Sequence, residues 1–314
     1  MLKSFSKYKK ALLVGIGGGA DVIGAIPTKL HLESFGIKCV LGGIPWERYS
    51  IDPFPGPRPF DQIVNVVNIN DSLCWATEKT KTQDGLFFSE SKASKVLKEK
   101  ILLVNIFNSS TKIAKDLKEF CKKNKIDLIV GIDVGGDVIA KGDEPGLSSP
   151  LADSIMLSAL KKVETSVDTK IAVLGYGSDG ELLPYELNSS LSIISKKKGL
   201  IGMLGINADS QRIMKKLIAK IETDASRIPT LAFSGTYGPS KIRRGRIEID
   251  VHPFSQITVY LKTKVIFKDI SLSARLVHKS LNIWESNKIL LKNGFKTELD
   301  FEIKKHLTSL KDIK

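Results

Sequence analysis

The feature that most constrains this chain is a segment it carries twice. Residues 13–25 (LVGIGGGADVIGA) align without gaps on residues 129–141 (IVGIDVGGDVIAK), with seven of the thirteen positions identical. A third, looser copy occupies residues 173–181 (VLGYGSDGE). Each copy runs from an apolar stretch through glycines to an aspartate: Asp21, Asp137 and Asp179. An apolar run that stops at glycine is what a strand buried on both faces of a parallel sheet needs as it enters a tight turn. In an open parallel sheet such turns gather at the carboxyl edge, where ligands bind at the switch in strand order. The repeat therefore predicts one crevice shared by Gly17, Gly18, Gly19 and Asp21, by Asp133, Gly135, Gly136 and Asp137, and by Gly177 and Asp179. Their bare backbone amides would favour an anion. A plainer explanation competes, since such glycines can serve packing alone and such aspartates can cap a helix.

The remaining pattern is consistent with that sheet. Strands are expected at residues 10–16, 37–41, 63–69, 86–88, 101–107, 126–132, 170–174 and 229–233. Helices are expected up to residue 35, over 92–98, 111–124 and 150–163, and twice within 184–221. Ser149 stands where a helix cap belongs and Pro150 in the first turn. Pro53, Pro55, Pro57 and Pro59 make an ordered extended loop. Past residue 235 the pattern changes to alternating runs at 246–251, 257–261 and 264–267, then helices over 273–293 and 297–310. The fold class expected is α/β, a doubly wound, mostly parallel Rossmann-like sheet with a small α+β C-terminal appendage. Residues 1–235 form the core, and 236–314 pack on the same domain.

Composition narrows the class of function. With 42% hydrophobic and 26% charged residues among 314, the chain is globular. No apolar run is long enough for a membrane span, and no membrane partner is expected. The basic N-terminus and apolar residues 11–16 break into glycines too early for a signal peptide, so a cytoplasmic location is expected. Three cysteines without a CxxC and four scattered histidines indicate neither a disulfide framework nor a thiolate or imidazole metal site. The net charge of +14 is spread over many lysine pairs without aromatic interleaving. It reads as a lysine-rich surface that draws in a small anionic metabolite; a nucleic-acid partner is a competing, less favoured reading. A homo-oligomer is the general expectation, although the sequence does not derive it.

The chemistry is carried by carboxylates. The GIGGGA string at 15–20 fits a loose dinucleotide fingerprint, but the acid expected about twenty residues later is missing, so NAD(P) is not expected. Asp133, Asp137, Asp143, Glu144 and Asp153 fall within one 21-residue stretch, and Asp179 and Glu181 add two more. Oxygen-rich clusters suit magnesium or manganese, with Asp133, Asp137 and Asp179 the expected ligands. Asp133, Asp137 and Glu144 are the candidate catalytic groups, because neighbouring carboxylates can divide into an acid and a base. Trp46 offers an aromatic face, while Arg48 and Arg243 can clamp an anion. These residues point to an intracellular enzyme acting on a small phosphate-, nucleotide- or carboxylate-bearing metabolite. Metal-assisted hydrolysis, lyase or transfer chemistry all fit. The alternatives are a non-catalytic nucleotide- or RNA-binding protein and a dinucleotide-dependent oxidoreductase.

The strings GIGGGADVIGA (15–25), GGIPWER (42–48), IDPFPGPR (51–58), GIDVGGDV (131–138), DEPGLSSPLAD (143–153) and GSDGEL (177–182) occur in that order. In them the chain resembles a largely archaeal family of prokaryotic proteins, domain-of-unknown-function family eleven fifty-two. The resemblance runs from about residue 10 to about residue 185. It implies that the quoted glycines and acids, Trp46 and Arg48 belong to one site, and it names no substrate. The GGD turn is also faintly similar to turns of D-glutamate lyases, over a few residues only.

Overall fold

The structure, a computed structural model, describes residues 5–311. The first apolar runs become β1 (Lys10–Gly15) and β2 (Lys38–Gly43), and a small pair, β3 (Ile63–Val64) with β6 (Lys81–Thr82), brackets β4 (Val67–Asn70) and β5 (Leu73–Ala76). β7 (Ile101–Val104), β8 (Leu128–Val134), β9 (Asp168–Leu174) and β10 (Leu200–Gly205) follow. A hairpin of β11 (Gly238–Ile242) and β12 (Ile247–Val251) then precedes β13 (Ile257–Lys262).

Nine of these strands form one sheet in the order β10-β13-β9-β8-β1-β2-β7-β5-β4. The central five, β9-β8-β1-β2-β7, are parallel, and antiparallel strands extend the sheet on both sides. From β1 the chain moves out to β2 and β7, then returns to β8 on β1's other side. The strand order therefore reverses between β1 and β8, as a doubly wound α/β sheet requires.

Burial on both faces explains the unbroken apolar runs. Leu12, Val14 and Ile129 face one layer, where Ile113 and Leu117 of the helix Ser110–Asn124 and Leu151 and Ile155 of the helix Pro150–Val163 cover them. Leu13, Val130 and Ile132 face the other, against Ile23 and Ile26 of the helix Asp21–Glu33 and Met214 and Leu217 of the helix Ala208–Ile218. Residues 236–311 join this core, because β13 lies in the sheet and buried Tyr260 shares a hydrogen bond of 3.0 Å with Thr28. Among the described residues no helix is long and apolar enough to cross a membrane. The three cysteines are free thiols.

Several elements depart from the sequence expectation. Residues 200–205 form the strand β10 inside a stretch read as helical, because an edge strand of Leu, Ile, Gly and Met shows no alternation. Residues 229–233 belong to the helix Arg227–Phe233, whose first turn tolerates Pro229. Residues 86–88 are not a strand, and 264–267 are helical rather than a third antiparallel strand. Short apolar runs do not fix the backbone period, and residues 200–205 and 86–88 are not even largely buried.

A buried ion pair helps to order the proline-rich loop. Arg58 donates from Nε and Nη2 to the two oxygens of Asp52, each at 2.7 Å, and from Nη2 to Asp84 at 2.9 Å. Asp52 is 2% exposed, whereas the Asp84 side chain is 63% exposed. Arg58→Ala strands Asp52 without a counter-charge and is expected to cost about 3–5 kcal/mol in urea denaturation. Asp84→Ala is expected to cost no more than about 1 kcal/mol. Similar small losses in both variants would show that the loop is held by something else.

Candidate functional site

The turn after β1 does not hold itself open for an anion. Gly17 donates its N–H to Oδ2 of Asp21 at 2.9 Å, and Gly19 donates to the carbonyl of Trp46 at 2.7 Å. Asp21 opens the helix Asp21–Glu33, so the positive end of the helix dipole already has a carboxylate beside it. A β-carbon on Gly17 would stand 2.9 Å from Asp21 Oδ2 and 3.1 Å from Asp153 Oδ2, so both carboxylates would have to move to admit one. The glycine turn therefore positions acids.

The second copy of the repeat diverges after its aspartate. Asp137 starts a single 3-10 turn, Asp137–Ile139, and the next full helix begins only at Pro150. Asp153 lies in the first turn of that helix and is 3% exposed. One carboxylate oxygen each from Asp133, Asp137 and Asp153 lie within 4.8 Å of one another. The third copy is stitched to the second by the N–H of Gly177, which donates to the carbonyl of Gly135 at 2.6 Å. Gly135, at φ +129°, has no room for a β-carbon because the Asp179 carboxyl group lies against it. Asp179 in turn accepts the N–H of Glu181 at 3.1 Å.

Glu181 links the acids to the basic hairpin. It accepts the N–H groups of Ser148 and Ser149 at 2.8 and 3.0 Å, the hydroxyl of Ser149, and Nη2 of Arg243 at 2.7 Å. Arg243 and Arg244 both sit in the left-handed region, at φ 50° and 58°, a strained tip for the β11–β12 hairpin. The Arg243 N–H is held by Asp224 at 2.7 Å, and Arg48 lies 3.9 Å from the same carboxylate. The opposite wall is the helix Glu298–Lys311. Its Glu298 accepts the N–H groups of Leu151 and Ala152, at 3.1 and 2.8 Å, and so caps the Pro150–Val163 helix in place of Ser149. Its Glu302 accepts from Trp46 Nε1 at 2.9 Å and from Gly56 N–H at 2.8 Å.

Most of these groups line a cleft of about 790 Å³ at the carboxyl edge of the sheet, beyond the ends of the paired strands β1 and β8, and Asp153 lies just behind its wall at Gly17. Burial is the main force on its acids. It raises Asp21, Asp137 and Asp153 well above the usual carboxylate range, and neighbouring carboxylates push each further. Burial also lifts Asp133 to about 6 and, with help from Glu181, Asp179 to about 8. Glu181 alone falls below its ordinary value: burial pushes it up, but the Arg243 charge and the Ser149 and Ser148 hydrogen bonds outweigh that. One strongly paired arginine does not balance such a floor; the acids keep protons or take up a cation.

The structure brings Gly17, Gly18, Gly19, Asp21, Trp46, Arg48, Asp133, Asp137, Asp179 and Arg243 to the cleft wall. It does not bring Glu144 there. That carboxylate accepts the N–H groups of Lys141 and Gly142 at 2.7 and 2.8 Å and braces its own loop. Gly135, Gly136 and Gly177 stand behind the wall, shaping the turns. The structure groups Asp153, not Asp179, with Asp133 and Asp137, because Asp179 is turned against Gly135. Trp46 is 5% exposed and fixed by Glu302, so its indole is a wall of the cleft more than an open face. Sequence reasoning missed Glu298 and Glu302 altogether. Their spacing of four on one helix was visible, but not the distant segments they meet.

Glu298 and Glu302 also set a pH dependence, with burial raising them to about 8 and about 7. A raised carboxylate pKa means that the folded state holds the proton more tightly than the unfolded one. The stability it contributes is complete below the ordinary value near 4.5 and disappears as pH rises through about 7 to about 8. In chelator-treated protein the melting temperature is expected to fall on the order of 5 °C between about pH 5 and about pH 8. Glu298→Gln is expected to flatten that slope. An unchanged slope in the variant would mean that other groups carry it.

No curated protein matches the chain. A family described as protein of unknown function (DUF1152) matches residues 12–306, from β1 into the helix that walls the cleft. That span takes in every cleft group described above, and the chain belongs to this family.

Proposed function

We propose that the protein is a divalent-cation-dependent enzyme acting on a small anionic, phosphate-bearing metabolite. The observation that carries this reading is the trio Asp133, Asp137 and Asp153, whose oxygens converge within 4.8 Å. Both Asp153 oxygens are buried without a hydrogen-bond partner. Magnesium and manganese prefer carboxylate oxygens and retain water for the remaining positions. Held there, such an ion supplies a Lewis acid for a phosphoryl or carbonyl oxygen, or a water of lowered pKa.

The protein's own groups supply the rest. Arg48, Arg244, Arg246, Lys304 and Lys305 also line the cleft; Asp224, Glu222 and Asp300 stand near three of them, but all three of those cations stay well exposed and can meet the anionic part of the substrate. Asp179, held near neutrality at about 8, is placed to take or give a proton beside the trio. A dinucleotide is disfavoured on physical grounds, because Asp21 occupies the helix N-terminus where a pyrophosphate would sit. Hydrolysis, elimination and group transfer all fit these parts.

A second reading, a non-catalytic polyanion binder, draws support from the opposite edge of the sheet. There Lys9, Lys10, Lys38, Lys118, Lys122 and Lys125 line a hollow of about 990 Å³ far from the acidic floor. Titration calorimetry separates the two readings. Wild-type protein is expected to bind magnesium or manganese. Asp137→Ala is expected to weaken binding by more than the roughly 10–100-fold that losing an outer-shell partner costs. Wild-type protein that binds neither ion would remove the metal-dependent reading.

A further inference from the structure

We infer that the cleft holds two divalent cations, the second between Asp21 and Asp153, with Asp153 bridging the pair. This rests on the metal-dependent reading above and goes beyond it. The first observation is the state of Asp153. Its side chain is 3% exposed, yet neither Oδ1 nor Oδ2 has a hydrogen-bond partner. A buried carboxylate with both oxygens unpaired is costly, and one cation on the Asp133–Asp137 side relieves only one of them.

The second observation is where the other acid stands. Asp21 Oδ2 and Asp153 Oδ2 lie 2.9 and 3.1 Å from the single point that a Gly17 β-carbon would occupy. They reach that point from different helices, Asp21 at the start of one and Asp153 in the first turn of another. Gly17 leaves the space open. Two carboxylates completed by water and substrate oxygens are a normal set for magnesium or manganese. Asp153, with Oδ2 3.1 Å and Oδ1 3.7 Å from the Gly17 point and one oxygen in the Asp133–Asp137 group, then stands between both positions with an oxygen to offer each cation.

Paired cations of this kind, roughly 3.5–4 Å apart, clamp the attacking and leaving oxygens of a phosphoryl displacement. Paired cations also serve peptide hydrolysis, but together with the cationic side chains that line the same cleft they favour a phosphate ester or anhydride over a simple carboxylate. The basic rim at Arg48, Arg244 and Arg246 is then left for the substrate's further negative charge.

Manganese serves as the probe, titrated into the full chain with bound ion read by equilibrium dialysis and coupling between ions by electron paramagnetic resonance. Wild-type protein is expected to saturate at two ions with a spin-coupled spectrum. The isosteric Asp21→Asn, checked for folding by circular dichroism, is expected to saturate at one ion with an uncoupled spectrum. Asp153→Asn is expected to lose the coupling and at least one ion. A wild-type protein saturating at one ion, or an Asp21→Asn protein still binding two, overturns the second site. If a single ion is bound and Asp137→Asn abolishes it, the metal-dependent reading stands while this inference falls. If wild type binds none, both fall.

Discussion

Negative charge held out of water is the constraint around which this molecule is arranged. Asp21, Asp133, Asp137, Asp153, Asp179 and Glu181 meet beyond the ends of the paired strands β1 and β8, and burial is the leading cause of every upward shift among them. No arrangement of these acids is stable with all of them ionised and nothing between them. The protein relieves part of the cost itself. The helix N-terminus and Gly17 N–H steady Asp21, the Ser148 and Ser149 amides and Arg243 steady Glu181, and Val138 N–H lies 3.4 Å from Asp133. Asp153 also lies at a helix start but accepts no hydrogen bond at either oxygen, so much of the remaining demand falls on it.

That demand can be sustained because the parts on which it acts are rigid. The acids project from the ends of parallel strands buried on both faces, or from first turns of helices packed on those strands. The far end of the chain reinforces the same place. The helix Glu298–Lys311 returns to cap the Asp153 helix through Glu298 and to fix Trp46 through Glu302. Cleft and C-terminal helix are thus one cooperative unit, and loosening the helix frees the N-terminus that presents Asp153.

The repeat made much of this legible. Two near-identical segments, each an apolar run ending in glycine and aspartate, became neighbouring strands at the switch point, and Asp21 and Asp137 do share a cleft. What the repeat could not convey is the direction in which each side chain turns. Gly135 looks the same in sequence whether it greets a ligand or makes room for Asp179. Asp153 reads as an ordinary first-turn acid stabilising a helix dipole, which conceals its lack of any partner. Glu144, inside the densest run of acids, turned inward because two amides of its own loop, Lys141 and Gly142, were nearer than the cleft. Sequence proximity of acids was a poor guide. Attachment to a strand end or a helix start was the better one.

The distribution of charge bears on how the proposed substrate would be admitted. An acidic floor by itself repels the phosphate-bearing molecules that the basic rim attracts, and in a cleft partly shielded from solvent that repulsion is weakly screened. Arg48, Arg244 and Arg246 sit at the mouth, and the chain as a whole carries a net charge of +14, so the long-range field favours anions arriving. Under the proposed metal-dependent reading, a cation on the floor would reconcile attraction at the mouth with the acids beneath it, as protons on those acids do only in part. A cation-free cleft would draw an anion to its rim and stop it there, whereas a loaded one offers a continuous positive path inward. On that reading the same carboxylates that are costly to bury would act as a gate on the order of binding, with metal first and substrate second.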